Sequence, residues 1–412
     1  MRIIVYEHMS GGGYAQRLIS PSVLCEGFGM LRCIVSDFKV AGHDVTVLLD
    51  DRISKLNPPI DAAYTVPIFY HSESKGFLKN IAKINDAFYV IAPETDAAMQ
   101  SLVELAEATG KVSLNCESSV IAKVSDKAAL YETLQKLGLA PKTLTFDNNK
   151  GVATAKRVIK TEFVYPIVIK PVDGVSCAGL SIINEERQIQ KALAKIGAES
   201  HSKRFIAQEF IKGEAASVSL LCTGKKAIAI SLNRQIIKIA APDMDSSYEG
   251  GTVPFDHLLK EMALTAAERV VATFAGLRGY VGVDVVLAEK RVFVVDVNAR
   301  LTTSYVGLRD VAGFNVAEAL VNAVMNGKLP SGRPNKGYAC FSKLETPKPT
   351  IEAFQKSTEL AEVKSPPFPL TNKTKVCALV SAHGDNLRGA SERLQDAKDR
   401  LLNIVSRGKQ LG

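Results

Sequence analysis

The sequence predicts an α/β fold running into α+β architecture. Strand-like and helix-like runs alternate over the first 115 residues, as in a small parallel sheet. From about Ser118, short β-rich runs follow one another around a pair of helices. At 412 residues the chain is too long for one small core, so two to three domains are expected. The expected division is an N-terminal α/β domain over 1–115, a central domain over 116–330 and a small C-terminal α+β extension over 331–412. The central domain divides in turn into parts over about 118–210 and about 211–330.

The elements follow in order. "RIIVYE" reads as a strand, the stretch around "CEGFGMLRCIVSDFKVAG" as a helix and "HDVTVLLD" as a strand. "AFYVIAP" and "KVSLNC" are further strands, separated by the helical "TDAAMQSLVELAEATG". "SDKAALYETLQKLGLAPK" is an amphipathic helix with Ser125 or Asp126 as N-cap and Gly138 as its stop. Then come "YPIVIKP", "GLSII", a helix near 185–196, "RFIAQEFI", "AASVSLLC" and "KAIAISL". A long helix over about 258–274 precedes the hairpin "GYVGVDVVLAEKRVFVVDVNAR". The tail adds the strands "YACFSKL" and "KVCALVSA" and a charged final helix.

Composition narrows the class. The chain is 46% hydrophobic and 23% charged, which is ordinary for a folded globular protein. No apolar run is long enough to span a membrane, and the N-terminus lacks a signal-peptide core. The seven cysteines are scattered and never in C-x-x-C spacing, so reduced thiols in a cytoplasm are expected rather than a zinc site or disulfide frame. The net charge of +8 is spread along the chain, which suits small anionic ligands and not a nucleic-acid surface. "SGGG" after the first strand lacks the G-x-G-x-x-G spacing of a dinucleotide loop.

Three stretches carry chemistry. In the hairpin, Asp296 and Asn298 are two residues apart and share a strand face. Asp284 lies on the partner strand among valines, and a three-residue loop at 289–291 would set it opposite Asp296. Two carboxylates about 4 Å apart repel by roughly 4 kcal/mol at an intermediate dielectric, so a cation must offset them. Two Asp and one Asn form an all-oxygen set suited to Mg²⁺. The bland alternative is a pair of solvent-facing acids on an edge strand, against which the dense valines argue.

The second stretch is "VIKPVDGVSCAGLSII", where Lys170 ends an apolar strand before a small-residue flap. Backbone N–H groups in such a loop can cradle phosphate oxygens. No G-K-[ST] follows, so the loop is not of the Walker A type, and a plain hairpin competes with the flap reading. In the third, "FIAQEFIKGEAASVSLL", Phe210 and Ile211 offer an apolar wall with a backbone edge for adenine, and Glu209 or Glu214 a carboxylate for ribose. Two surface acids at a turn would look the same.

Lysine before a Gly-rich flap, then a Glu-rich link, then Asp and D-x-N-x-R on paired strands resembles the ATP-grasp superfamily over about 118–326. The resemblance implies an ATP-grasp fold with a pre-ATP-grasp domain before it, ATP held between two α+β subdomains, and Mg²⁺ or Mn²⁺ on Asp284, Asp296 and Asn298. It implies phosphate contacts from Lys170, from Gly174, Ser176 and Gly179 of the flap, and from Lys123, preferred over Lys127. It further implies Glu209, Phe210 and Ile211 at adenine, Glu214 at ribose, and Arg300 on the transferring phosphate. The family usually has Glu where this chain has Asp296 and Pro where it has Ala299, which leaves the number of metal ions open.

"NARLTTSYVGLRD", "YEGGTVP", "YEHMSGGG" and the tail are similar to the archaeal-type tyramine–glutamate ligases of methanofuran synthesis. That similarity implies joining tyramine to the γ-carboxylate of L-glutamate, with Asn233, Arg234, Gln235, Thr302, Thr303, Ser304 and Tyr305 near the acceptor site. An amino acid and an amine are then the small-molecule partners, and a homodimer is the open expectation for assembly. A ligase for other amino acids or dipeptides and a non-catalytic ATP sensor are the competing readings.

Overall fold

The computed structural model describes residues 1–147, 152–174 and 177–407. Three sheets build it. The first is parallel, with the order β3 (Tyr64–Ile68), β2 (Asp44–Asp50), β1 (Arg2–Glu7), β4 (Ala87–Ile91), β5 (Val112–Ser113). Period-2 alternation sends Ile3 and Val5 to one face and Ile4 and Tyr6 to the other. Helix α1 (Pro21–Val40) covers the first face, and α3 (His71–Ala82) and α4 (Ala98–Glu107) the second. Strand β3 was not predicted; its Pro67 is accommodated because β3 is a sheet edge.

The second sheet is antiparallel, in the order β6 (Thr143–Asp147), β9 (Arg204–Glu209), β7 (Ile167–Pro171), β8 (Ser181–Ile183). With α7 (Val152–Glu162) and α8 (Ile189–Glu199) it has its own core, including Ile167, Ile169, Ile189 and Ile196. The helix predicted from "SDKAALYETLQKLGLAPK" is α6 (Lys127–Lys136), after α5 (Ser118–Ser125). Asp126 caps it, accepting from the Ala128 and Ala129 amides at 3.0 and 3.4 Å, and Gly138 leaves it at φ +69°.

The third sheet has eight antiparallel strands in the order β14 (Arg291–Asn298), β13 (Arg278–Ala288), β10 (Glu214–Thr223), β11 (Ala227–Lys238), β12 (Ser247–Val253), β15 (Tyr338–Pro347), β17 (Lys375–Gly384), β16 (Val363–Ser365). The tail strands therefore continue the sheet that carries the D-x-N-x-R hairpin. Helix α9 (Lys260–Ala272) packs on one face with Val218, Val283 and Val285; α10 (Tyr305–Val311) and α11 (Val316–Asn326) pack on the other. Helix α13 (Leu387–Arg407) lies against β15 and β17. Among the described residues no helix is long and apolar enough to cross a membrane.

Candidate active site

The β13–β14 hairpin sets the site. Its turn is two residues, Glu289 and Lys290, with Glu289 at φ +39°, and not the three-residue loop expected. Asp284 nevertheless faces Asp296, because a bulge at Val295 inserts the missing residue and restores the register. The bulge has a second consequence. The Val295 carbonyl, freed from the ladder, accepts from the Tyr131 hydroxyl at 2.6 Å and from Lys170 Nζ at 3.3 Å. Strand β14 is an edge strand, as the bland alternative supposed, but α6 and α9 pack on it, so its acids face a cavity.

The two acids are held differently. Asp284 accepts from Gln235 Nε2 at 3.0 Å and Asn298 Nδ2 at 3.1 Å. Burial, then the charge of Asp296, pushes its carboxyl up to about 6. Burial would raise Asp296 too, but Lys127 and Lys170 outweigh it and hold its carboxyl below the ordinary value. Lys127 is buried and donates to Asp296 Oδ2 at 2.8 Å. Burial lowers the Lys170 ammonium, which also donates to the Tyr131 hydroxyl at 3.1 Å.

Magnesium is tested by this donor set. Among the described residues no three His, Cys, Asp or Glu side chains cluster as a complete metal cage. Two opposed Asp carboxylates with an adjacent Asn supply the one or two carboxylates Mg²⁺ takes from protein when phosphates and water complete its octahedron. The raised Asp284 carboxyl marks a place where a further positive charge would be stabilising. The residues fit the ion.

Arg300 is not free. It forms a two-pronged pair with Glu94, Nε to Oε1 at 2.9 Å and Nη2 to Oε2 at 3.0 Å, and its Nη1 holds the Leu301 carbonyl at 3.1 Å. Glu94 follows β4 of the parallel sheet, so a group from the N-terminal sheet orients the guanidinium.

These groups line one cavity of about 680 Å³, bounded by Lys127, Lys170, Gly174, Glu209, Phe210, Ile211, Gln235, Asp284, Asp296, Asn298, Arg300, Thr302, Thr303 and Ser304. That volume suits a nucleotide-sized ligand. Arg234 also reaches it and pairs with Glu214 at 3.7 Å.

Several expected residues are elsewhere. Lys123 is exposed on α5, and Lys127, one helix on, is the upstream lysine at the cavity. Glu214 turns away, toward Arg234 and His257, because the strand alternation of β10 puts Ala215 and Ser217 on the cavity side. The Gly179 amide is already committed to Glu199 Oε2 at 2.7 Å. Ser176 lies outside the described residues. Asn233 is buried under the cavity wall, donating to Ser219 Oγ at 2.9 Å. Tyr305 is fully buried, and its hydroxyl donates to Asp37 at 2.6 Å.

Sequence reasoning missed Glu94, which orients Arg300, Tyr131, which holds the Val295 carbonyl, and Glu26 of α1, which lines the cavity. Glu26 had a signal: it is the charged residue inside the otherwise apolar "VLCEGFGML".

Comparison with known proteins places this geometry. The pre ATP-grasp 3 domain matches residues 43–121, and the ATP-grasp domain matches residues 124–304. The tyramine–L-glutamate ligase of Methanocaldococcus jannaschii is 28% identical over 333 residues, covering 79% of this chain and 90% of that protein. An ATP-grasp superfamily protein from Archaeoglobus fulgidus superposes with a TM-score of 0.62 at 23% identity, over 92% of this chain and 99% of its own. An L-amino acid ligase from Bacillus licheniformis superposes with a TM-score of 0.66 at 14% identity, over 97% of each chain. With both domains matched in order, and the acids, lysines and arginine gathered on one cavity, the chain belongs to the ATP-grasp superfamily, as an ATP-dependent carboxylate–amine ligase.

Proposed function

We propose that this ligase joins tyramine to the γ-carboxylate of L-glutamate. The observation that carries the chemistry is the opposed Asp284–Asp296 pair with Lys127, Lys170 and Arg300 on the same cavity. The observation that favours the substrates is the match to tyramine–L-glutamate ligases along 79% of the chain.

In this reading Phe210 and Ile211 flank adenine, and Lys127, Lys170 and the Gly174 flap receive the phosphates. Asp284, Asp296 and Asn298 would hold Mg²⁺, which neutralises charge on the phosphates. The substrate carboxylate oxygen attacks the γ-phosphorus of ATP, and the bond to the departing ADP breaks. The amine nitrogen then attacks the acyl carbon, phosphate leaves with the carboxyl oxygen, and the nitrogen loses a proton. Arg300, oriented by Glu94, stabilises charge on the transferring phosphoryl group. The protein's work is positioning and charge neutralisation.

ADP release over amines crossed with amino acids tests the proposal. Tyramine with L-glutamate is expected to give the highest kcat/KM. A different best pair would move the chain toward other amino-acid ligases, a reading supported by the fold shared with the Bacillus licheniformis enzyme. Release from no pair at all would leave a nucleotide sensor.

A further inference from the structure

Beyond the nucleotide groups, the cavity has an inner wall built from the parallel sheet's side. Glu26 of α1 lines it, with Thr303 of the loop that follows Arg300. Glu26 Oε1 takes Lys343 Nζ at 2.8 Å, and Thr303 Oγ1 donates to Glu26 Oε2 at 3.1 Å. Lys343, on β15, also donates to Ser22 Oγ at 2.6 Å. The Glu26 and Lys343 side chains are only 9% and 13% exposed.

Lys343 lines a second, wider groove of about 1610 Å³, which shares Met9, Val23, Cys177, Ala178 and Tyr248 with the cavity. The ion pair therefore sits at the neck where the groove meets the cavity. A buried pair is by itself weak evidence of stability, since desolvation offsets its attraction. Its unused bonding capacity is more telling. Lys343 has three donors and uses two; Glu26 has about four acceptor positions and uses two. One open cationic donor beside open carboxylate positions matches a group that carries both an ammonium and a carboxylate.

We propose that Glu26 and Lys343 form the subsite for the zwitterionic head of an α-amino acid, Glu26 receiving the ammonium and Lys343 the carboxylate. Thr303 fixes the Glu26 carboxylate and is three residues from Arg300, so a side chain extending from a head held there runs toward the charged wall. Alternating charges of substrate and protein keep every buried charge paired, and a ligand with only one of the two groups leaves one unpaired. Lys343 stays charged because Glu26 outweighs the effect of burial, holding its ammonium above the ordinary value. The inference rests on the ligase reading for its substrate class and on the neck's own geometry for its location.

The test is calorimetric titration of the full chain, with Mg²⁺ and a non-hydrolysable ATP analogue present, against the common α-amino acids. The tightest is then compared with its desamino and descarboxy counterparts (for L-glutamate, glutarate and 4-aminobutyrate). Both counterparts are expected to bind about thirty-fold or more weakly, and Glu26→Gln and Lys343→Met to lose a similar factor for the amino acid. Nucleotide affinity should be unchanged in both variants. Glutarate binding as well as L-glutamate, no amino acid binding at all, or folded variants with unchanged affinity would each overturn the subsite. Should the variants not fold, the comparison of counterparts on the unaltered protein decides. ADP release separates the two readings. Amino-acid binding lost in Glu26→Gln, without ADP release from any pair, keeps the subsite and removes the ligase reading. ADP release with an unchanged amino-acid KM in Glu26→Gln removes the subsite and keeps the ligase.

Discussion

The two walls of the cavity are charged in different ways. On the hairpin wall, Asp284, Asp296 and Asn298 come from two adjacent strands and interrupt a valine pattern, and Arg300 follows two residues past the end of β14. On the inner wall, Glu26 and Lys343 are 317 residues apart and meet only because the parallel sheet's helix α1 packs beneath β15 and β17. The first wall is a local feature of a hairpin; the second exists only in the assembled fold. Substitutions on the hairpin wall should therefore act on turnover, and those on the inner wall on amino-acid KM.

The largest effect is expected at Asp296. Asp296→Ala removes a carboxylate that the two lysines keep ionised and leaves Lys127 without its partner. A loss of about 4 kcal/mol of transition-state stabilisation, roughly three orders of magnitude in kcat/KM, should follow. Arg300→Ala should cost roughly 3 kcal/mol, about two orders. Arg300→Lys should recover little, since one ammonium cannot reproduce the two-pronged grip on Glu94. Turnover untouched by Arg300→Ala would remove that residue from the reaction and erase the contrast between the walls.

A smaller effect separates two neighbouring lysines. Lys127→Ala should weaken nucleotide binding by about ten-fold, on the order of 1.4 kcal/mol, while Lys123→Ala changes it less than about two-fold. Equal losses in a nucleotide titration would mean that Lys123 reaches the phosphates after all.

The same contrast explains what the sequence could show. Opposition of Asp284 and Asp296 was legible because strand periodicity fixes which residues share a face. The turn was misjudged by one residue, and only the bulge at Val295 kept the pairing, since no residue type marks a bulge there. The choice between Lys123 and Lys127 depends on which helix meets β14, a tertiary matter. Glu214 was misplaced by one step of alternation, which spacing cannot phase without knowing which face is buried. Glu94 and Lys343 act through partners hundreds of residues away, and nothing local announces such contacts.

The joint between the walls can be weakened without touching either. Asp37 of α1 binds Arg309, with Nε at 3.0 Å, and the Tyr305 hydroxyl, tying α1 to α10. Asp37→Ala leaves the largely buried Arg309 guanidinium with only its Asp310 contact at 3.3 Å and should cost about 2 kcal/mol, read as a lower urea midpoint. Unchanged stability would mean that the apolar contacts of α1 alone hold the walls in register.

The buried thiols are the counter-case to the cavity's paired charges. Burial pushes Cys33 up to about 11 and Cys116 up to about 12, against about 8.5 for a free thiol. A folded-state value above the unfolded one contributes stability that is complete below the unfolded value and is lost as pH rises toward the folded one. The window is therefore about 8.5 to 12, and by pH 10 each thiol should have given up about 2 kcal/mol. Urea midpoints at pH 7 and 10 measure the loss, and Cys33→Ala with Cys116→Ala should reduce it by the share of these two thiols. The same alkaline loss in the double variant would place the titration among the other groups that burial raises, Cys25, Cys222 and the tyrosines, and would leave Cys33 and Cys116 no role in alkaline stability.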